Sequence, residues 1–463
     1  MVKIPRRLDD LLPAIPMEKL LDALQQPDIS GKVREALHRV GWHDAAPLES
    51  VRDAWHQARS WLETMVAGEL PTTAAPRGIN ASGQLLSPSA AGVPWGTGLA
   101  LHYARMASEY QYQPQVMQYA QERLQPLCED HAWVCLGSVA EAVRLLAATS
   151  AAAQGVVVAR TDAVRIAGLG DVRSMVAAGG NGLIEIGAAN TVLADEWSSA
   201  LAGGGRMVLL TSPNNLSAAD SRQMRSEAVA AAQTAGARVV ELLADGTFNP
   251  SLADRYHFPT PSAALASGAD VVILPLQLLL AGPPGALVIG CSELIDPLRL
   301  AAANLGGLLQ GAGLATAVAA IQSSRQDEFD APSIASQLLA NPENLRNRAR
   351  RLALQLTDIG AVGSASECEM TTPLGPSPWN RYQLSSWGVR LVPRKSLAEL
   401  HKHIASGEAK HALKLQLAGD TQCVDINLRF VPPQRDHELV LVIGEEGLSE
   451  PAVPVAPPPA SAS

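Results

Sequence analysis

No lysine stands between Lys32 and Lys395; the chain holds only Lys3, Lys19, Lys32, Lys395, Lys402, Lys410 and Lys414, and arginine supplies the rest of its positive charge. Lysine-borne covalent chemistry is therefore excluded from the whole central part of the sequence. Cysteine is equally sparse. Cys128, Cys135, Cys291, Cys368 and Cys423 are widely spaced, odd in number and form no C-x-x-C pair, so neither a disulfide framework nor a thiolate metal site is expected. Aromatic residues make up 4% of the chain, and Trp95, Trp133, Trp197, Trp379 and Trp387 are scattered. A base-stacking platform finds no support in that spacing, and core packing is the expected role of these rings. No P-loop, G-x-S-x-G elbow, H-E-x-x-H or strand-following G-x-G-x-x-G is present. His401, His403 and His411 cluster beside Lys402 and Lys410. With no acidic or cysteine ligand at suitable spacing they read as a solvated basic helix surface, and no metal site is expected.

Long uninterrupted hydrophobic runs are missing too. Residues 271–292 carry no charge, but Pro275 and the run Gly282-Pro283-Pro284-Gly285 interrupt them, so they read as two short buried strands joined by a turn. Residues 300–324 are uncharged and rich in alanine and glycine, which suits a helix packed closely on protein. No membrane partner is expected. The first residues, MVKIPRRLDDLL, lack the apolar core of a secretory signal. Together with the cysteine usage this makes a cytoplasmic location the expectation. A formal net charge of −9 argues against broad affinity for nucleic acid, and no DNA partner is expected, although a local basic patch remains compatible with RNA.

What is present is enough apolar residue, 47% of 463, for a large core and more than one domain. Residues 1–70 read as a helical N-terminal domain, with Leu48, Val51, Trp55, Leu62 and Met65 near helical spacing. From 71 to 325 strands alternate with helices. The strands are expected at Val156–Arg160, Gly182–Gly187, Met207–Ser212, Ala237–Ala244, Val271–Leu274 and Ala286–Gly290, and helices at Ser138–Ala153 and Ala218–Ala235. Ser138-x-x-Glu141 and Ser217-x-x-Asp220 are capping boxes. The alternation implies an α/β domain with a mainly parallel sheet covered on both faces. Residues 326–445 read as a small α+β domain: a charged helix at Asn341–Leu356, strands at Trp387–Val392 and Cys423–Val431, and a helix near Ser396–Ser406. The Pro/Ala/Ser-rich stretch 446–463 is expected to be a disordered tail.

Several of these segments resemble one family in order and spacing. LDDLLPAIPMEKLLDAL at Leu8–Leu24, RGINASGQLL at Arg77–Leu86, VVVARTDAVRIAG at Val156–Gly168, AGPPGALVIGCSELI at Ala281–Ile295 and VDINLR at Val424–Arg429 are similar to phrases of bacterial selenocysteine synthase, L-seryl-tRNA(Sec) selenium transferase. The resemblance implies an aminotransferase-like fold, pyridoxal phosphate (PLP) fold type I, and a chemistry that converts seryl-tRNA to selenocysteinyl-tRNA on a PLP held by a lysine. It also implies that this chain departs from that chemistry. The family's Schiff-base lysine falls at Leu278, after Gln277, and the carboxylate that faces the PLP ring nitrogen falls at Leu242. Glu241 is one residue away, on the opposite face of its strand, and Asp245 lies just past the strand end. The family's substrate arginines fall near Gly92 and at Leu300 and Ala303, with Arg299 beside them. Gly137 and Ser138, before a helix N-terminus, are the candidate remnant of a phosphate site, although an ordinary capped helix with nothing bound is the favoured reading.

The expected function is that of a non-catalytic paralogue of selenocysteine synthase in a binding or regulatory role. Its partners would be its own copies in a dimer-based homo-oligomer, an active paralogue, or tRNA. No covalently held cofactor is expected, and PLP could bind only noncovalently. The alternatives are an L-seryl-tRNA(Sec) selenium transferase or other transferase using PLP in that noncovalent way, and a structural subunit of a hetero-oligomer.

Overall fold

The computed structural model describes residues 77–86, 92–149, 155–180, 182–325, 334–359, 362–394, 413–416, 418–419 and 423–447. The expected N-terminal helical domain, the expected helix near Ser396–Ser406 and the histidine cluster lie outside these residues, as does the expected tail beyond residue 447.

The strands are β1 (Arg77–Asn80), β2 (Ala132–Leu136), β3 (Gly155–Ala159), β4 (Arg165–Ile166), β5 (Gly170–Asp171), β6 (Leu183–Ile186), β7 (Gly205–Ser212), β8 (Arg238–Leu243), β9 (Val271–Pro275), β10 (Ala286–Gly290), β11 (Val362–Pro373), β12 (Gln383–Pro393), β13 (Leu413–Gln416), β14 (Ala418–Gly419) and β15 (Val424–Asn427). Seven of them form one sheet in the order β2-β10-β9-β8-β7-β3-β6. β9, β8, β7, β3 and β6 run parallel, and β10 is antiparallel to both neighbours. The expected strands are all present and the sheet is mainly parallel. β3, β9 and β10 are buried at every position, which is what strands covered on both faces require.

Two apolar clusters sandwich this sheet. One gathers Val156, Val158, Leu209, Val240, Leu242 and Ile273 with Val143 and Leu146 of the helix Val139–Thr149; the other gathers Val157, Val208, Leu210, Val239 and Val272 with helices from the opposite side. Consecutive strand residues divide between the clusters because side chains alternate across a sheet. The helices are α1 (Thr97–Ala107), α2 (Gln113–Cys128), α3 (Val139–Thr149), α4 (Val172–Ala177), α5 (Ala194–Ala202), α6 (Ala218–Ala235), α7 (Pro250–Tyr256), α8 (Pro261–Ala266), α9 (Ser292–Leu305), α10 (Gly311–Ser324), α11 (Ile334–Leu338), α12 (Pro342–Thr357) and α13 (Asp436–Gly447). Both sequence-read caps form in their main half: Ser138 Oγ accepts from Glu141 N (3.1 Å) and Ser217 Oγ from Asp220 N (3.2 Å).

The uncharged stretch 300–324 differs from the single helix expected. It is divided between α9 and α10, because Gly306 caps α9 in the left-handed region (φ 69°), a conformation open to glycine, and the chain turns before Gly311. Among the described residues, no helix is long and apolar enough to cross a membrane.

A four-stranded antiparallel sheet, β11-β12-β15-β14, forms the C-terminal region. α12 covers one face: Leu345, Ala349, Leu352 and Leu356 point inward with Val389, Leu391, Val424 and Ile426, while Arg350 and Arg351 face outward. Ile79 and Ala81 join this third cluster, and β1 pairs with β13, so residues beginning the large domain by sequence pack with the small one.

Candidate functional site

The carboxyl ends of parallel strands are where open α/β sheets place ligands. Here β3, β7, β8 and β9 all end near one another, and the residues after them fall into an apolar half and a polar half.

The apolar half contains the positions read from the sequence as altered. Leu242 on β8 and Leu278, in the turn after β9, are both fully buried in one cluster with Val93, Val139, Trp379 and Leu384. Gln277 is held in place: its Oε1 accepts from Gly285 N (3.2 Å) and its carbonyl accepts from Val93 N (2.9 Å). Gly92 lies against that carbonyl, and a Cβ there would approach it to 2.8 Å, so an arginine at this position has no room. Glu241 points to the other side of the sheet, as its odd register requires, and pairs with Arg225 at 2.7 Å. Leu300 is 66% exposed on α9, and Ala303 is exposed as well. Arg299 donates to Asp296 (2.6 Å) and to the Trp133 carbonyl (2.8 Å), which occupies the arginine nearest to those two positions.

Gly137 and Ser138 sit between β2 and α3 as expected. Gly137 N donates to Gly307 O (2.9 Å) and Ser138 Oγ is the acceptor in the helix cap, so both are engaged by protein groups.

The polar half was only partly visible in the sequence. Asp245, two residues past β8, is fully buried; its Oδ2 accepts from Ser212 Oγ (3.0 Å) and from the Tyr382 hydroxyl. Burial pushes its carboxyl up to about 6, although both hydrogen bonds and the Arg381 charge pull it down. Burial, and then the charge of Asp245, hold the Tyr382 phenol above its ordinary range. Asp162, after β3, is also fully buried and is likewise raised to about 6 by desolvation. It accepts from Thr211 N (2.8 Å), Asn214 Nδ2 (3.3 Å) and Thr161 Oγ1 (2.9 Å). Arg381 donates from one nitrogen to Asn214 O (2.6 Å), Asn214 Oδ1 (2.9 Å) and Leu216 O (3.0 Å). Sequence reasoning placed Asp245 at the strand end but had no signal for Tyr382 and Arg381, which arrive from the C-terminal sheet.

With this geometry in view, comparison with known proteins is specific. The family model described as SelA, L-seryl-tRNA selenium transferase, matches residues 110–426. The chain belongs to the L-seryl-tRNA selenium transferase family. A relative named L-seryl-tRNA(Sec) selenium transferase from Hyphomonas neptunium is 24% identical over 385 residues, covering 77% of this chain and 80% of that one. One of the same name from Moorella thermoacetica is 25% identical over 265 residues, 55% of this chain, and the match spans 56% of its length, little more than half. Among solved structures, D-glucosaminate-6-phosphate ammonia-lyase superposes with a TM-score of 0.56 at 16% identity, over 80% of this chain and 96% of that one. That likeness is one of fold, and it is the aminotransferase-like fold expected.

The site does not fit PLP as a lysine-bound cofactor. The residues that the sequence resemblance places at the family's amine and ring counter-charge, Leu278 and Leu242, are buried leucines of one cluster, and residues 33–394 contain no lysine to substitute. Among the described residues no group of acidic, histidine or cysteine side chains is arranged to hold a metal ion.

Proposed function

We propose that this chain is a non-catalytic paralogue of selenocysteine synthase that acts by binding. The observation that carries the reading is the burial of Leu278 and Leu242 together in the apolar cluster at the strand ends. An imine-forming site needs a nucleophilic amine and a ring counter-charge in that place. Leucine supplies neither, and it fills the volume with packed hydrocarbon.

Its partners in this reading are its own copies in a dimer-based homo-oligomer, an active relative of the same family, or tRNA engaged through residues 1–70. The net charge of −9 requires any tRNA contact to be local.

The experiment is absorption spectroscopy of the purified full-length protein with added PLP, followed by borohydride reduction and peptide mapping. No reduced lysyl adduct in a substrate-competent site is expected. A single stoichiometric adduct at Lys395, Lys402, Lys410 or Lys414 would overturn the reading. Binding to seryl-tRNA(Sec), measured across a salt series, tests the RNA partner separately; binding with a log-linear salt slope supports it and no binding at low salt removes it.

A further inference from the structure

The segment Leu374–Tyr382 connects β11 to β12 and crosses to the carboxyl ends of β7 and β8. Its tip is fastened there by side chains. Ser377 Oγ donates to Asn215 Oδ1 (3.2 Å), Arg381 donates to three acceptors between Asn214 and Leu216, and Tyr382 donates to Asp245. Beneath these bonds the tip is apolar: Leu374 and Trp379 are fully buried in the cluster that contains Leu242 and Leu278, and Tyr382 meets Phe258 edge-on at 4.9 Å between ring centroids.

Closure also leaves polar atoms without a protein partner. Asp245 Oδ1, Arg381 Nε and Trp379 Nε1 are buried without a hydrogen-bond partner among the described residues. Each would gain water if the tip withdrew, so part of the gain from burying Trp379 is offset in the closed form.

We infer that Leu374–Tyr382 is a lid, closed over the strand-end crevice by the clasp of Ser377, Arg381 and Tyr382 on Asn215, Asn214 and Asp245. The opening unit is the tip alone. Its own turn bonds, Trp379 N to Pro376 O (2.7 Å) and Tyr382 N to Trp379 O (3.1 Å), move with it, while the backbone bonds at its base, Leu86 N to Leu374 O (3.0 Å) and Leu374 N to Tyr382 O (2.8 Å), and the β12–β15 ladder stay in place. The surface it uncovers is hydrocarbon around Leu242 and Leu278. This inference stands on contacts within the chain and holds whether or not the chain catalyses a reaction.

Hydrogen exchange read by mass spectrometry on the full-length chain tests it. Amides of the tip are expected to exchange faster than those of β7 and β8 in the wild type, and Arg381→Ala should raise tip exchange by roughly tenfold while leaving β7 and β8 unchanged. The same variant should increase the fluorescence of the apolar dye 8-anilinonaphthalene sulfonate with its far-UV circular dichroism intact. Equal exchange of tip and strands in the wild type, or no effect of Arg381→Ala on the tip, overturns the lid. Should Arg381→Ala fail to fold, Ser377→Ala and Tyr382→Phe each remove one clasp bond, and the same selective rise at the tip is required of them.

Discussion

Asp245 carries two carboxylate oxygens of unequal fortune: Oδ2 receives two hydroxyl donors and Oδ1 none among the described residues. A buried carboxyl in that state holds its proton more tightly than it does in the unfolded chain, where its pKa is about 3.9. Because the folded value is raised, to about 6, the native state binds more protons than the unfolded state between those two values. The associated stability is fully present below the unfolded value and is lost as pH rises through about 6. Asp245→Asn removes this dependence and keeps an acceptor for Tyr382. Urea midpoints should therefore show the variant gaining on the wild type between pH 5 and pH 7.5, by on the order of 1–2 kcal/mol. A wild-type-to-variant difference that stays constant with pH would place the carboxylate in contact with water. Asp162 is raised for the same first reason, burial, but it has donors on both oxygens from Thr211, Asn214 and Thr161. Asp162→Ala should consequently cost more than Asp245→Ala in the same assay, because it strands three donors rather than two.

At the scale of elements, the sequence was most legible where a segment is apolar throughout or strictly amphipathic. β3, β9, β10 and α12 follow from their patterns with bounds within a residue or two. β11 was missed because VGSASECEMTTP is mostly polar and only partly buried, so neither period two nor a hydrophobic run marks it; pairing along the full length of β12 defines it instead. β2 is buried and apolar, yet its five residues follow α2 after only residues 129–131 and give too short a signal alone. The direction of β10 was within reach: residues 276–285 leave no room for the crossover that a parallel neighbour of β9 needs. For the site, Leu242 and Leu278 could be placed because each lies in a phrase whose spacing is kept. Tyr382 and Arg381 could not, since they reach Asp245 and Asn214 across 137 and 167 residues of sequence.

Element joints offer a second test. Arg348 on α12 is buried and ties that helix to the C-terminal region: it donates to Val431 O (2.7 Å) and Leu428 O (3.2 Å) and pairs with Asp436 at the start of α13. Arg348→Ala leaves two carbonyls and a carboxylate without their donor, and should lower unfolding free energy by about 3 kcal/mol in a denaturant titration. Ser217→Ala, by contrast, removes one exposed cap of α6 and should cost about 1 kcal/mol. If the two variants proved equal, Arg348 would be reaching solvent.

Across the described residues, a seven-stranded sheet, packed on both faces, is joined to a C-terminal sheet whose β11–β12 connection reaches back over the strand ends. In a fold of this class the catalytic residues sit where those strands stop. This chain has closed that place from two directions, with leucines from β8 and the turn after β9 below and with Trp379 from the C-terminal sheet above. Introducing the residues that the sequence resemblance places there therefore means bringing charge into packed hydrocarbon. Leu278→Lys should destabilise the protein by about 3 kcal/mol or more, or lower the new amine's pKa by several units, because Leu278 is fully buried in an apolar cluster and the desolvation of an ammonium is large. Adding Leu242→Asp should recover part of that loss if the two side chains interact within the cluster they share, and the recovery is the non-additive term of a double-mutant cycle in urea. A Leu278→Lys variant as stable as the wild type would mean that water already reaches the strand ends and that the leucines do not fill the site.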